Sequence, residues 1–221
     1  MIEFRGVTKN YRVNGIDKSI LDNVNLALPI DRNIGILGHN GTGKSTLMRL
    51  IAGAELPTHG RIHRYVETSW PLGFSGGFNG NMTGMENIRF VGRMYGQNIQ
   101  EMIDFVEDFS ELGPSIHAPI QTYSSGMKAR LAFGVSMAVN FACYLIDETT
   151  AVGDKRFKEK CAAVFAHKLK TAKIIMVSHS ARTLEKFCDA GCILHKGKLT
   201  YYDNLQDAMT IHEQNQLENT H

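Results

Sequence analysis

The sequence predicts an α/β fold built on a mostly parallel sheet. Three observations lead there. Short apolar runs, Asn33 to Leu37, Cys143 to Ile146 and Lys173 to His179, read as strands buried on both faces. Between them lie segments whose apolar residues recur at helical spacing, such as Ile99, Met102, Ile103, Val106 and Phe109. The first run also feeds a glycine-rich loop that opens a helix, a strand–loop–helix arrangement typical of anion sites in such folds.

Composition sets the outer bounds. The 221 residues suit one large domain or a domain with a subdomain. With 43% hydrophobic and 21% charged residues, the chain reads as an ordinary globular protein. A net charge of +2 gives no basis for nucleic-acid binding. Cys143, Cys161, Cys188 and Cys192 fit neither a zinc pattern nor a C-x-x-C motif and read as reduced thiols. The opening Ile2-Glu3-Phe4-Arg5 lacks the apolar run of a signal peptide. Leu131 to Ile146 is uncharged but shorter than a spanning helix and contains Gly134 and Asn140, so it reads as a buried helix running into a buried strand.

In chain order, Ile2 to Val7 and Ile20 to Leu28 read as strands around a turn at Asn14-Gly15. Tyr11 follows the first; its ring either packs or stacks on a purine base. Gly38-His39-Asn40-Gly41-Thr42-Gly43-Lys44-Ser45-Thr46 then fits the phosphate-loop pattern G-x-x-x-x-G-K-[ST]. Its glycines let backbone N–H groups approach an anion, and the helix from Leu47 to Ala52 adds its N-terminal partial charge. Lys44 would reach the β- and γ-phosphates of a nucleotide, and Ser45 would offer its hydroxyl to Mg²⁺. Short strands at Arg61–His63 and Val66–Trp70 lead into a loop, Pro71 to Asn81, rich in glycine and aromatics. Trp70, Phe74 and Phe78 there either form an exposed docking patch or fold back into the core.

Thr83-Gly84-Met85-Glu86 is a capping box that starts a helix to about Tyr95, and a second helix spans Ile99 to Leu112. Tyr123 to Lys128 precedes an apolar helix, Ala129 to about Val139, with Ser124 placed as its N-cap. Cys143 to Ile146 delivers Asp147 and Glu148 to the carboxyl end of the sheet. Asp147 would hold Mg²⁺ through water and Glu148 would polarise an attacking water, although paired acids also cap helices. A helix follows from Arg156 to Lys170. His179 ends the next strand, beside that of Asp147; a lone histidine there is structural unless a phosphate lies near. A hairpin turns at Lys196-Gly197, and Asn204 to Glu218 forms a terminal helix.

Taken in order, these motifs resemble the ATP-binding subunit of ABC transporters across nearly the whole chain. Tyr11 matches the adenine-stacking loop, and Gly38 to Ser45 the Walker A motif. Tyr123-Ser124-Ser125-Gly126-Met127 matches the signature usually written LSGGQ. Cys143 to Asp147 with Glu148 match Walker B and the catalytic glutamate, Ala151 to Asp154 the D-loop, and His179 the switch histidine. Further stretches, Ser69-Trp70-Pro71-Leu72, Gly76-Gly77-Phe78 and Asp147 to Asp154 among them, resemble the capsular polysaccharide export ATPases of Gram-negative bacteria, the KpsT/BexA type.

The resemblance implies a P-loop ATPase core at 1–81 and 141–221, with an N-terminal antiparallel β subdomain and an inserted α-helical subdomain at about 82–140. It implies ATP and Mg²⁺ as cofactors, with Glu148, His179 and Lys44 catalytic and with Ser45 and Asp147 toward the metal. Ser124, Ser125 and Gly126 of a second copy would close on the γ-phosphate. It also implies a separate inner-membrane permease, periplasmic and outer-membrane export proteins beyond it, and a place on the cytoplasmic face of the inner membrane. Rival readings are a teichoic acid or O-antigen exporter, some of which carry a carbohydrate-binding extension not found here, and a soluble ABC ATPase outside transport. Ser125, Met127 and Thr149 depart from the usual pattern, and the loop from Trp70 to Met82 lacks the usual Mg²⁺-ligating glutamine. Asn79 is the candidate substitute. His39 is expected to be exposed and neutral in effect.

Overall fold

The computed structural model describes residues 1–13, 15–72, 77–147, 154–178 and 180–218. The chain divides into two compact units: Met1–Pro71, Ala142–Glu148 and Ala172–His221 form the first, Leu72–Phe141 and Thr149–Thr171 the second.

The first unit holds two sheets. The smaller is antiparallel, with strands β1 (Ile2–Val13), β2 (Ile16–Leu28) and β4 (His59–Arg64) in the order β2-β1-β4. Its apolar side buries Ile2, Phe4, Val7, Ile20, Leu21, Val24 and Leu28. Both hairpin strands outrun their apolar stretches: pairing continues to Val13 opposite Ile16, where Ile16 is 73% exposed. Strand pairing continues through that end, which hydrophobic alternation does not register.

The larger sheet runs β5-β6-β7-β3-β8-β9. These strands are β5 (Thr68–Pro71), β6 (Cys143–Asp147), β7 (Lys173–Val177), β3 (Ile34–Leu37), β8 (Ala190–His195) and β9 (Lys198–Tyr202). All neighbours are parallel except β8 and β9, the expected closing hairpin. Helix α1 (Lys44–Ala52) buries Leu47, Met48, Leu50 and Ile51 in the same core as Ile34, Ile36, Leu145, Ile175 and Val177. β3 is buried along its whole length, as both-face burial requires. Ser69 ties the edge strand in: its buried hydroxyl accepts the Leu145 amide at 2.9 Å. Cys143, Cys188 and Cys192 are buried and Cys161 is half-buried, all as free thiols. Burial pushes the Cys143 and Cys188 thiols up to about 12, so they stay protonated and unreactive.

The second unit is helical. Helix α2 (Gly84–Met94) starts with the predicted capping box: Thr83 Oγ1 accepts the Glu86 amide and Glu86 Oε2 accepts the Thr83 amide at 2.8 Å. Helix α3 (Ile99–Ser110) is capped by Asn98 and ends at Glu111, which has a positive φ of 54°. Helix α4 (Ser125–Ala138) begins four residues before its apolar stretch, because the Ser124 cap sets its start. Helix α5 (Lys155–Lys168) belongs to this unit through Phe157, whose ring meets Phe109 edge-on at 5.2 Å; Phe109 also stacks on Phe133 at 5.6 Å. The uncharged run at 131–146 resolves into the end of α4 and strand β6, and among the described residues no helix is long and apolar enough to cross a membrane.

Candidate nucleotide-binding site

The parallel strands bring the predicted chemistry to one edge. Asp147 pairs with Val177 and Val177 with Ile36, so the last residue of β6, the last of β7 and the next-to-last of β3 lie in one row. Chain positions more than a hundred residues apart thus end at the same side of the sheet, where open α/β folds bind ligands. Asp147 is half-buried at that edge, and the phosphate loop leaves β3 at the same edge, with β7 between the two strands.

Two glycines shape that loop by necessity. A side chain at Gly38 would meet the Leu194 carbonyl at 2.7 Å. At Gly43, the residue before α1, φ is 104° and an added Cβ would lie 2.2 Å from Ile20 Cγ2. Both positions therefore exclude side chains, and the backbone turns into the helix without obstructing its N–H groups. Lys44 is 8% exposed; its Nζ donates to the Gly38 carbonyl at 2.6 Å and the His39 carbonyl at 2.9 Å. Thr42 closes the turn, its amide and its hydroxyl both bonding the His39 carbonyl. Ser45 is exposed on the first turn of α1, while Thr46 is buried and its hydroxyl takes a hydrogen bond from Arg49.

Tyr11 is half-buried, packs against the core of the first unit and places its hydroxyl 3.4 Å from Thr46 Oγ1. Tyr11 and the first turn of α1 are therefore adjacent. Asn40 and Gly41 form the rim of the loop.

His39 departs from the expectation of an exposed side chain. It is half-buried, and its ring meets that of His212 edge-on at 5.6 Å. His212 stands on helix α7 (Leu205–Glu218), which the fold brings across the start of the loop. Together with Gly38, Asn40, Ser178 and Glu213 they line a cavity of about 480 Å³. Burial, followed by the neighbouring His39, Lys44 and His195, pushes the His212 pKa below the usual histidine value.

In the second unit, Ser124 Oγ caps α4 by accepting the Met127 amide at 3.2 Å. Ser124, Ser125 and Gly126 are all exposed at this helix N-terminus. Arg130, one turn further on, bonds Glu111 at 3.2 Å and Asp154 at 3.3 Å and lies over the Phe157 ring. The start of the signature helix is thus fastened to the C-terminal end of α3 and to the cap of α5.

Asn79, the candidate substitute for the glutamine, is exposed. Its Oδ1 accepts the Asn81 amide at 3.0 Å, and its backbone is held on both sides by Asn87. The side chain is used in shaping its own turn. Trp70 is half-buried on β5 and Phe78 is half-buried; Phe74 lies outside the described residues. So do Glu148, the segment 149–153 and His179.

A glycine-built loop, a lysine folded into it and a parallel sheet that ends beside an aspartate define a phosphate-loop nucleotide-binding protein. Residues 21–151 match the family described as ABC transporter. The chain is 46% identical over 216 residues to the ATP-binding protein BexA of Haemophilus influenzae, covering 98% of this chain and all of that one. It is 47% identical over 208 residues to the capsule polysaccharide export ATP-binding protein CtrD of Neisseria meningitidis, covering 94% and 96%. The fold matches the dimeric, ADP- and phosphate-bound ATP-binding cassette MJ0796 with a TM-score of 0.72, at 19% identity over 93% of this chain and 99% of that one. The chain belongs to the ABC transporter family, as an ATP-binding subunit.

Proposed function

We propose that this chain is the ATP-hydrolysing subunit of a capsular polysaccharide exporter. The observation that carries the reading is the Lys44-closed phosphate loop in a chain that matches a capsule export ATP-binding protein nearly end to end. In this reading Lys44 exchanges its carbonyl partners for the β- and γ-phosphates, and the backbone amides of 41–46 surround them. The residues fit Mg²⁺: Ser45 is an exposed hydroxyl beside the loop and Asp147 ends a strand on the same edge. So few protein oxygens suit an ion that keeps waters and phosphate oxygens in its shell. Glu148 orients the attacking water and His179 contacts the γ-phosphate, both as the family resemblance implies.

A second copy completes the site. Gly126 sits in the exposed first turn of α4, where a glycine is helically unfavourable, yet an added Cβ would meet nothing closer than Ser124 Oγ at 3.9 Å. Its own chain does not require a bare backbone there, whereas a nucleotide approached by Ser124, Ser125 and Gly126 of a partner copy would. The dimer then drives a separate inner-membrane permease, which handles lipid-linked polysaccharide and passes it to periplasmic and outer-membrane export proteins. The helical segment 82–140 transmits the motion, and the loop around Trp70 and Phe78 receives the permease.

The test is ATP hydrolysis in proteoliposomes with the cognate permease. Lipid-linked capsular polysaccharide stimulates turnover in the wild type, and Glu148→Gln abolishes turnover while keeping ATP bound. Hydrolysis indifferent to permease and polysaccharide would overturn the assignment.

A further inference from the structure

One charged cluster in the first unit joins two motif residues, Tyr11 and Thr46, to three residues that no motif names, Lys9, Arg49 and Glu55. Glu55 accepts the Tyr11 hydroxyl, the Lys9 ammonium at 2.7 Å and Arg49 Nε at 2.9 Å. Arg49 Nη2 donates in turn to the Tyr11 hydroxyl at 3.3 Å and to Thr46 Oγ1 at 3.1 Å. Lys9 also donates to the Leu56 carbonyl at 2.9 Å and stands 4.9 Å from the centroid of the Tyr11 ring. These groups are well covered: the side chains of Lys9 and Glu55 are 12% and 19% exposed.

The end of α1 puts Glu55 there. Gly53 turns the chain back with φ 75°, and the amides of Ala54 and Glu55 both bond the Arg49 carbonyl. Helix α1 therefore has two jobs at its two ends. Its first turn carries Lys44, Ser45 and Thr46 at the phosphate loop. The turn after its last residue delivers a carboxylate to the hydroxyl of Tyr11.

We propose that Glu55 is a positioning residue for the nucleotide base: it fixes the Tyr11 ring beside the first turn of α1, so that one helix sets both the base and the phosphate positions. This rests on Tyr11 being the base platform. The Lys9 ammonium stands against the ring, and the base stacks on the part of the ring that the core leaves exposed. A ring held at its hydroxyl by a carboxylate, with a cation against it, loses little further freedom when a base stacks on it. Glu55 itself touches no nucleotide, and its charge is balanced by Lys9 and Arg49, so its removal acts through Tyr11.

The experiment compares binding of Mg-ATP with binding of Mg-tripolyphosphate, which has the phosphates but no base, by titration calorimetry on the full chain. Tyr11→Ala and Glu55→Ala each weaken ATP about tenfold, the size of one lost base-stacking contact, and leave tripolyphosphate within about twofold. The double variant is no weaker than Tyr11→Ala. Glu55→Gln, whose amide oxygen still accepts the hydroxyl, recovers most of the ATP affinity. Tyr11→Phe keeps the ring, loses the tether and weakens ATP selectively, which supplies the test should Glu55→Ala not fold. If Tyr11→Ala binds ATP normally, the base platform is wrong and the proposal falls with it. If Tyr11→Ala loses ATP selectively but Glu55→Ala and Tyr11→Phe do not, the platform stands and the positioning role of Glu55 is overturned. Equal losses of ATP and tripolyphosphate in Glu55→Ala also overturn it, since they mark a general disturbance of α1.

Discussion

Lys44 donates its ammonium to the carbonyl oxygen of Gly38, six residues earlier, at 2.6 Å. The lysine thereby bonds the residue that opens its own loop, and a second bond to His39 holds the charge in place. One ammonium group thus serves both the loop shape and the charge position. Lys44→Met keeps the length and loses the charge. It is expected to weaken ATP about 10- to 100-fold, the worth of charge-assisted hydrogen bonds to phosphate. Equilibrium binding of a fluorescent ATP analogue measures this; affinity within twofold of the wild type would remove the phosphate contact.

Gly43 is the steric pivot between loop and helix. Gly43→Val forces a β-branched residue to φ near 104° and drives its Cβ into Ile20. Positive-φ strain and overpacking together are expected to cost about 2–4 kcal/mol. Urea unfolding measures the loss. If Ile20→Ala in the Gly43→Val background restores none of it, the contact with Ile20 is not the cause.

Gly126 behaves oppositely. It is exposed and its surroundings are open, so Gly126→Val is expected to change monomer stability by less than about 1 kcal/mol. ATP-dependent dimerisation of the Glu148→Gln protein, followed by size-exclusion chromatography with light scattering, is expected to disappear in the same variant. A dimer that still forms would place Gly126 away from the interface.

Glu55 makes acid stability a readout of its cluster. Burial alone would raise its pKa, but hydrogen bonds from Lys9, Tyr11 and Arg49, with the Lys9 charge, pull it down from the ordinary 4.5 to about 2. A carboxylate depressed in the folded state stabilises the fold fully above its unfolded pKa. That contribution is lost as pH falls from about 4.5 toward about 2. Glu55→Gln carries no such dependence. The stability difference between wild type and variant is therefore expected to shrink on acidification through that window, as seen in urea unfolding at a series of pH values. A difference constant with pH would mean that the carboxylate is not depressed.

Several site features were legible in the linear sequence because they are local. The phosphate loop is nine consecutive residues from Gly38 to Thr46, the capping box spans Thr83 to Glu86, and the buried strands announce themselves as apolar runs. Helix α6 (Ala181–Phe187) escaped that reading because it is short and buries only Leu184, leaving no period to detect. The extended ends of β1 and β2 escaped because their residues lack an apolar alternation, and β1 there is held by strand pairing and by polar side-chain bonds such as those of Lys9 and Tyr11.

The sequence by itself determined the α/β class, the loop chemistry and the ABC family, since each is written in short contiguous patterns. Only the tertiary structure decided which distant residues meet. It laid α7 over the loop so that His212 covers His39, and engaged Asn79 in its own turn. It folded Glu55 back from the end of α1 onto Tyr11, 44 positions away in the chain. The physical reason is that helix caps and loop glycines act over a few residues, whereas a carboxylate selects its partners by where helices and strands pack. No spacing rule links Tyr11, Arg49 and Glu55; the turn at Gly53 and the antiparallel sheet bring them together.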